Sequence, residues 1–243
     1  MENLAFTYDR LGELTERQDL DQGLTESFVY DQLDRLTQAS ISGSPASPPV
    51  KSFAYDILGN ITAKPETGSY TYPAPGQPQP HAVTSISGGT VTVGSTFNYD
   101  QNGNQIAGMG RAIGYTSFNR PNSISLGTVT VAFTHDPDHQ RLTKIDTNGG
   151  AAATTLYLGA GPVYAELVTG GGGSATWNDY LMAGGEMIGV RYDNISNPLT
   201  PVITTRYFHR DHLGSVAVLT DENANVVQRL SYDPWGRQRS PTT

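Results

Sequence analysis

The sequence contains no cysteine, which excludes disulfide frameworks, thiol nucleophiles and thiolate-held zinc or iron–sulfur sites. Charge is also scarce, with 16% of the 243 residues being Asp, Glu, Lys or Arg. The balance is acidic, 23 against 15, for a formal net charge of −8. A surface that neutralises phosphates needs the opposite sign, so nucleic acid is not an expected partner. No apolar run approaches the ~18–20 residues that cross a bilayer, so no membrane span is expected. The start, Met1-Glu-Asn-Leu-Ala-Phe6, has no basic stretch followed by an apolar run, and no signal peptide is read there. There is no Gly-x-Ser-x-Gly elbow, no P-loop and no His-Glu-x-x-His. Gly108-Met-Gly-Arg-Ala-Ile-Gly114 is one residue too long for a dinucleotide fingerprint. Neither a cofactor nor a bound metal is expected.

What the chain does have is turn formers and aromatic residues: 27 glycines, 15 prolines and 13 tyrosines, with 37% of residues hydrophobic. That excess of Gly and Pro argues against a helical bundle, and the aromatic and apolar content argues against a disordered tail. Seven segments share one plan, in which an aromatic or apolar residue, a spacer, Tyr-Asp and two free positions lead to a small or polar residue. They run Phe6–Gly12, Phe28–Asp34, Phe53–Gly59, Phe97–Gly103, Ile113–Asn119, Phe133–His139 and Leu230–Gly236. Thr116 replaces Asp in the fifth and His135 replaces Tyr in the sixth. The first three tyrosines, Tyr8, Tyr30 and Tyr55, recur every 22 to 25 residues. Tyr70-Thr-Tyr72 reads as a degraded unit in the longer gap before Tyr99. Gly89-Thr-Val-Thr-Val93 and Gly127-Thr-Val-Thr-Val131 form a further repeated pair. Repeats of this kind point to stacked supersecondary units.

Residues before each Asp alternate and favour strands. Asp at the first position of a turn accepts backbone N–H groups, and Gly three residues later adopts positive φ freely. The expected turn positions are Gly12, Asp34, Gly59, Gly103, Asn119, His139 and Gly236. Where Gly is missing, the slot holds Asp, Asn or His, the residue types that best tolerate a left-handed backbone. The fold class expected is all-β, built from tandem antiparallel hairpins forming a curved sheet or partial β-shell. Residues 1–150 are the hairpin array, and 151–243 are a further β segment continuing the same sheet.

Ser40–Val50 and the proline-rich Tyr72–His81 are expected to be loops, because proline cannot donate to a ladder. Gly170–Ser174 is expected to be a flexible tip or a linker. Longer strands are expected over Leu156–Val168, Trp177–Tyr192 and Val202–Tyr232, the last containing a hairpin around Asp221–Asn225.

Asp211-His-Leu-Gly-Ser215 followed by Tyr232-Asp-Pro-Trp-Gly236 closely resembles the RHS-associated core of RHS/YD-repeat proteins. The upstream Tyr-Asp units resemble YD repeats, and Asp179-Tyr-Leu-Met-Ala-Gly-Gly185 is similar to the segment that precedes that core. The resemblance implies a winding β-sheet shell, in some relatives enclosing a C-terminal toxin and in others acting in adhesion. It also implies secretion or display at the cell surface. The expected partners are neighbouring YD-repeat strands of a longer shell, a C-terminal effector absent from these 243 residues, glycans, or a second copy. The continuation that carries the family's self-cleavage aspartates is not in this sequence, so neither autoproteolysis nor toxicity is carried over.

His209, Asp211 and His212 are the candidate catalytic residues of a hydrolase reading. Trp177 and Trp235 are the candidate ligand-binding residues of a carbohydrate-binding reading, in which rings stack on sugars. His135-Asp-Pro-Asp-His139 has metal-ligating residue types, but its repeat alignment makes it a turn. Glu166, Asp179 and Glu186 are candidates for a glycosidase-like carboxylate pair. Asn60-Ile-Thr62 and Asn194-Ile-Ser196 fit glycan-acceptor spacing.

Overall fold

The computed structural model describes residues 3–43, 50–89, 95–148, 151–159, 164–170, 173–197 and 199–239. Among these the protein is all-β, with no helix. Two compact units are formed. One comprises Met1–Ser95, His209–Val218 and Gln228–Thr243, and the other Thr96–Phe208 and Leu219–Val227. This division follows packing, whereas the boundary at residue 150 follows repeat type.

In the first unit, β1 (Leu4–Tyr8), β2 (Leu14–Asp19), β3 (Leu24–Tyr30), β4 (Leu36–Ser42) and β5 (Lys51–Ser52) form one sheet in chain order. Next come β6 (Ala54–Tyr55), β7 (Ile61–Lys64), β8 (Gly68–Thr71) and β9 (Ser85–Ser87), again paired antiparallel with their sequence neighbours. The second unit is built on β10 (Ser95–Tyr99), β11 (Gln105–Gly108), β12 (Arg111–Tyr115), β13 (Pro121–Leu126), β14 (Val129–His135) and β15 (Arg141–Asp146). It continues through β16 (Ala153–Leu158), β17 (Ala165–Thr169), β18 (Ala175–Ala183), β19 (Glu186–Asn194) and β20 (Val202–Arg210). The chain then forms β21 (Val216–Thr220), β22 (Val226–Arg229), β23 (Ser231–Tyr232) and β24 (Gln238–Arg239).

Four expectations are corrected. Leu156–Val168 is two strands, β16 and β17, and Trp177–Tyr192 is a hairpin that turns at Gly184 and Gly185, both with positive φ. Val202–Tyr232 is divided among β20, β21, β22 and β23. The loop expected from Ser40 begins later, because β4 pairs with β3 through Ser42; residues 44–49 lie outside the described residues. Tyr72–His81 holds no strand. Gly170 and Ser174 close a hairpin tip, with the Gly170 N–H donating to the Ser174 carbonyl at 2.8 Å. Residues 171–172 and 90–94, including most of the first Thr-Val-Thr-Val segment, lie outside the described residues.

The core of the first unit is made by the repeat itself. Phe28, Ala39 and Phe53 are buried, and Leu14, Tyr30, Leu36 and Tyr55 pack around them. Phe and Tyr two residues apart thus share the buried face, as strand alternation requires. Burial of each ring contributes on the order of 1.5–3 kcal/mol.

Candidate functional site

The repeated chemistry lies at the corners. At each of Asp9, Asp31, Asp56, Asp100, Thr116, Asp136, Asp211, Asp221 and Asp233, the backbone N–H donates to the carbonyl four residues on, at 2.8–3.0 Å. The carbonyl of the same residue accepts from the N–H three residues on, at 2.9–3.3 Å. The side-chain oxygen then accepts the N–H of residue i+4 in every case. In seven of the nine it also takes the N–H of residue i+2. One carboxylate therefore satisfies two N–H groups that a tight turn leaves without partners.

The fourth residue is left-handed throughout. φ is 87° at Gly12, 59° at Asp34, 87° at Gly59, 85° at Gly103, 58° at Asn119, 62° at His139 and 77° at Gly236. Two further corners complete the set: Gly214, at φ 83°, closes the Asp211 turn, which the sequence reading did not name as a turn, and the hairpin expected around Asp221–Asn225 forms with Ala224, at φ 61°, as its left-handed residue. Ala224 gave no signal because alanine is not a residue associated with that conformation.

Six of the seven units also carry a bulge, the Tyr232 unit being paired in regular register. The register shifts between Thr7 and Tyr8, Val29 and Tyr30, Ala54 and Tyr55, Asn98 and Tyr99, Gly114 and Tyr115, and Thr134 and His135. The residue that ends up opposite each Tyr is the sixth after it: Leu14, Leu36, Ile61 and Gln105 face Tyr8, Tyr30, Tyr55 and Tyr99, and the carbonyl of each accepts from a tyrosine of the next unit. The Tyr30 hydroxyl donates to Leu14 O at 2.9 Å, Tyr55 to Leu36 O at 2.8 Å and Tyr72 to Ile61 O at 2.9 Å. Tyr115 donates to Gln105 O at 3.1 Å and Tyr232 to Val216 O at 3.0 Å. Tyr72 thus occupies the tyrosine slot of a unit in which Pro73 stands in place of Asp.

Successive corners touch. Arg35 donates to Asp56 O at 3.2 Å, Asn60 to Pro80 O at 3.1 Å, and Asn102 and Asn104 to Asn119 Oδ1 at 3.1 and 2.9 Å. Phe118 lies between two histidines, stacked on His139 at 4.0 Å and edge-on to His135 at 5.5 Å. Among the described residues no group of three His, Asp or Glu is arranged to hold a metal.

At five of the corners, Asp9, Asp31, Asp56, Asp100 and Asp221, the hydrogen bonds lower the carboxyl pKa. A side-chain bond from Asn104 leads at Asp100, from Asn225 at Asp221 and from Arg35 at Asp31, and the backbone N–H of Glu13 leads at Asp9. At Asp56 desolvation pushes upward, and bonds from Asn60, Leu58 and Gly59 outweigh it. On the strand ladder the direction reverses: burial, aided by Glu166, pushes the Tyr180 hydroxyl up to about 12.

Within the first unit, an aromatic cleft of about 480 Å³ is bordered by Tyr8, Phe28, Tyr30, Tyr55, His212 and Trp235. Trp235 is 38% exposed, packs edge-on to Phe53 at 5.4 Å and lies under the Lys64 ammonium at 5.1 Å. Beside it a buried ionic cluster fastens β23 and β24. Glu26, 6% exposed, pairs with Arg17 and with Arg239 at 2.6 Å, while Asp233 pairs with Lys51 at 3.6 Å.

The remaining sequence candidates fall as follows. Asp211 Oδ1 accepts the N–H groups of Leu213 and Ser215 at 2.9 Å, and the His212 ring packs on Phe6 at 4.4 Å. His209 lies on β20, two residues before that corner. Trp177 is half-buried on β18 opposite Leu167. Glu166 faces Asn178 and Asp179 faces Ala165, so these two carboxylates project from opposite faces of the sheet. They do not form the carboxylate pair considered from sequence. Glu186 is exposed at the start of β19. Asn60 is 7% exposed and its amide donates to Asp56, which leaves Asn194, exposed at the end of β19, as the accessible acceptor motif.

Neither a protein-family model nor a curated protein matches the chain. Among solved structures it is similar to a crystal structure of TcdB2-TccC3-Cdc42, with 13% identity, a TM-score of 0.49 and 96% of this chain covered. It is likewise similar to a Photorhabdus luminescens Tc holotoxin pore (12%, TM-score 0.49, 98% covered) and to TcdB2-TccC3-TEV (12%, 0.44, 98%). In each case the chain spans 16% of the larger protein.

Proposed function

We propose that this chain is a non-enzymatic scaffold, a YD-repeat segment of an RHS-type β-shell serving encapsulation or cell-surface interaction. The observation that carries this reading is the use to which the polar side chains are put. The corner carboxylates, including Asp211 and Asp233, accept backbone N–H groups, and the unit tyrosines donate to backbone carbonyls of the preceding unit. A residue committed to architecture in this way has little capacity left for proton transfer or nucleophilic attack. The resemblance of Asp211–Ser215 and Tyr232–Gly236 to the RHS-associated core supports the same reading.

A turnover screen on ester and glycoside substrates, with His212→Ala as the control, tests it. The scaffold reading expects no turnover, and activity abolished by that substitution would sink it in favour of a hydrolase. The aromatic cleft favours one second reading, carbohydrate binding, since Tyr8 and Trp235 are both part-exposed there. A glycan array separates the two, with Trp235→Ala removing any signal that arises at the cleft.

A further inference from the structure

One cross-strand row of the second unit carries polar chemistry that no corner uses. Tyr157 pairs with Glu166, Glu166 with Asn178 and Asn178 with Tyr192, so these side chains of β16, β17, β18 and β19 stand on one face. Tyr180, two residues beyond Asn178 on β18, shares that face. Glu166 and Asn178 are shorter than the tyrosines, so they form the floor of a shallow basin with a tyrosine on three sides. Paired strands flank the row, β15 beyond β16 and β20 beyond β19, so its exposure does not come from a chain end. Tyr192 is 39% exposed, and the other four residues are half-buried.

Glu166 is unlike the corner carboxylates. It accepts from two neutral side chains, the Asn178 amide at 3.3 Å and the Tyr180 hydroxyl, and among the described residues it forms no ion pair. The cations of the surrounding strands are engaged elsewhere: Lys144 pairs with Asp146, Arg191 with Asp179 and Asp193, and Arg206 donates to Thr205 O at 2.8 Å. Arg141, on the strand beyond β16, lies over Phe133 at 4.6 Å and over Tyr157 at 5.7 Å, so the Tyr157 ring already attracts a cation. A half-buried negative charge walled by electron-rich rings, in a chain of net charge −8, favours a cation with an apolar shell, which loses little hydration on leaving water.

We propose that this basin binds an organic cation of the quaternary-ammonium or methylated-amine class, seated over Glu166 between Tyr157, Tyr180 and Tyr192. The basin is open, so binding is weak, with a Kd on the order of 1–10 mM.

Choline is the probe, titrated into the isotopically labelled whole chain at constant ionic strength and followed by amide chemical shifts. Saturable shifts confined to β16–β19 are expected by about 50 mM. The uncharged isostere, in which a tert-butyl group replaces the trimethylammonium, should leave those amides unmoved. Glu166→Gln keeps the size of the floor residue and removes its charge, and Tyr192→Ala truncates an exposed ring. With circular dichroism unchanged, the first should weaken choline about tenfold and the second about threefold. No saturable shift, an equal response to the isostere, or full affinity in both variants overturns the proposal. So does a neutral disaccharide that moves the same amides where choline does not, an outcome that would give the basin to sugars.

Discussion

The hairpins joined by Asp corners and the long ladder β18–β20 solve the same problem by different means. Strands next to corners are mostly two to seven residues long, β20, which runs into the Asp211 corner, being the nine-residue exception. The strands before β2, β4, β7 and β24 each end where a carboxylate captures the turn N–H groups. β18, β19 and β20 are each nine residues and are joined without an Asp corner. There, length holds the strands, with eight Cα partners between β18 and β19 across a bulge between Leu181 and Met182. Polar side chains differ accordingly. In the hairpins they bond to backbone. In the ladder they bond mainly to one another across strands, as Asn178 does to Glu166 and Arg191 does to Asp179. A fold that fixes its corners chemically tolerates short strands, and one that does not needs long ones.

The sharpest way to break this comparison is to remove one carboxylate from each region. Asp233→Ala leaves the N–H groups of Trp235 and Arg237 without their acceptor in a buried setting and leaves the Lys51 ammonium with Glu66 alone. The expected loss is about 2–3 kcal/mol in urea unfolding. Asp179→Ala removes an ion pair whose partners are each 41% exposed, and about 0.5 kcal/mol or less is expected. Equal losses would erase the distinction. Next in size, Tyr55→Phe deletes the tether to Leu36 O and should cost about 1 kcal/mol, against no measurable change for Tyr192→Phe on the ladder.

The two regions also fail at opposite ends of the pH scale. The carboxyls of Asp9, Asp31, Asp56, Asp100 and Asp221 sit below their ordinary value of 3.8 in the folded chain, so their contribution is present above that pH. It is lost as pH falls through the lower folded values. Asp100→Asn should flatten that acid limb. Tyr180 sits above its ordinary value of 10.0, so its contribution is complete below pH 10 and disappears as pH rises towards about 12. Tyr180→Phe should remove the alkaline loss, and an unaltered alkaline limb would contradict the assignment. The smallest effect concerns strain. Asp34→Gly, at φ 59°, relieves a left-handed aspartate and is expected to raise stability by about 0.5 kcal/mol, measured as a higher melting temperature.

The corners were legible because their signal is local: Asp, two free residues, and a residue that accepts positive φ. Asp211–Gly214 carries that same signal, yet it was read as part of a family motif rather than as a turn. The Tyr tether was not legible, since its acceptor is a backbone carbonyl on the preceding unit and any residue supplies one. Which carbonyl each hydroxyl meets depends on how successive units stack, which no side chain announces. The ladder was misjudged for a related reason. Its apolar runs cross Gly184 and the Asp211 corner, and periodicity alone does not show where a strand reverses. The division of roles among Glu26, Arg17 and Arg239 joins positions more than 200 residues apart and depends wholly on tertiary packing.

The account turns on the hydroxyl that links each unit to the one before it. Its most direct test is urea unfolding of a chain in which Tyr30, Tyr55, Tyr72, Tyr115 and Tyr232 are all changed to Phe. Five independent tethers predict a combined loss of about 5 kcal/mol with the β-sheet spectrum retained. A midpoint within experimental error of the wild-type value would show that the tyrosines act as apolar filling alone, and the tether would have to be abandoned.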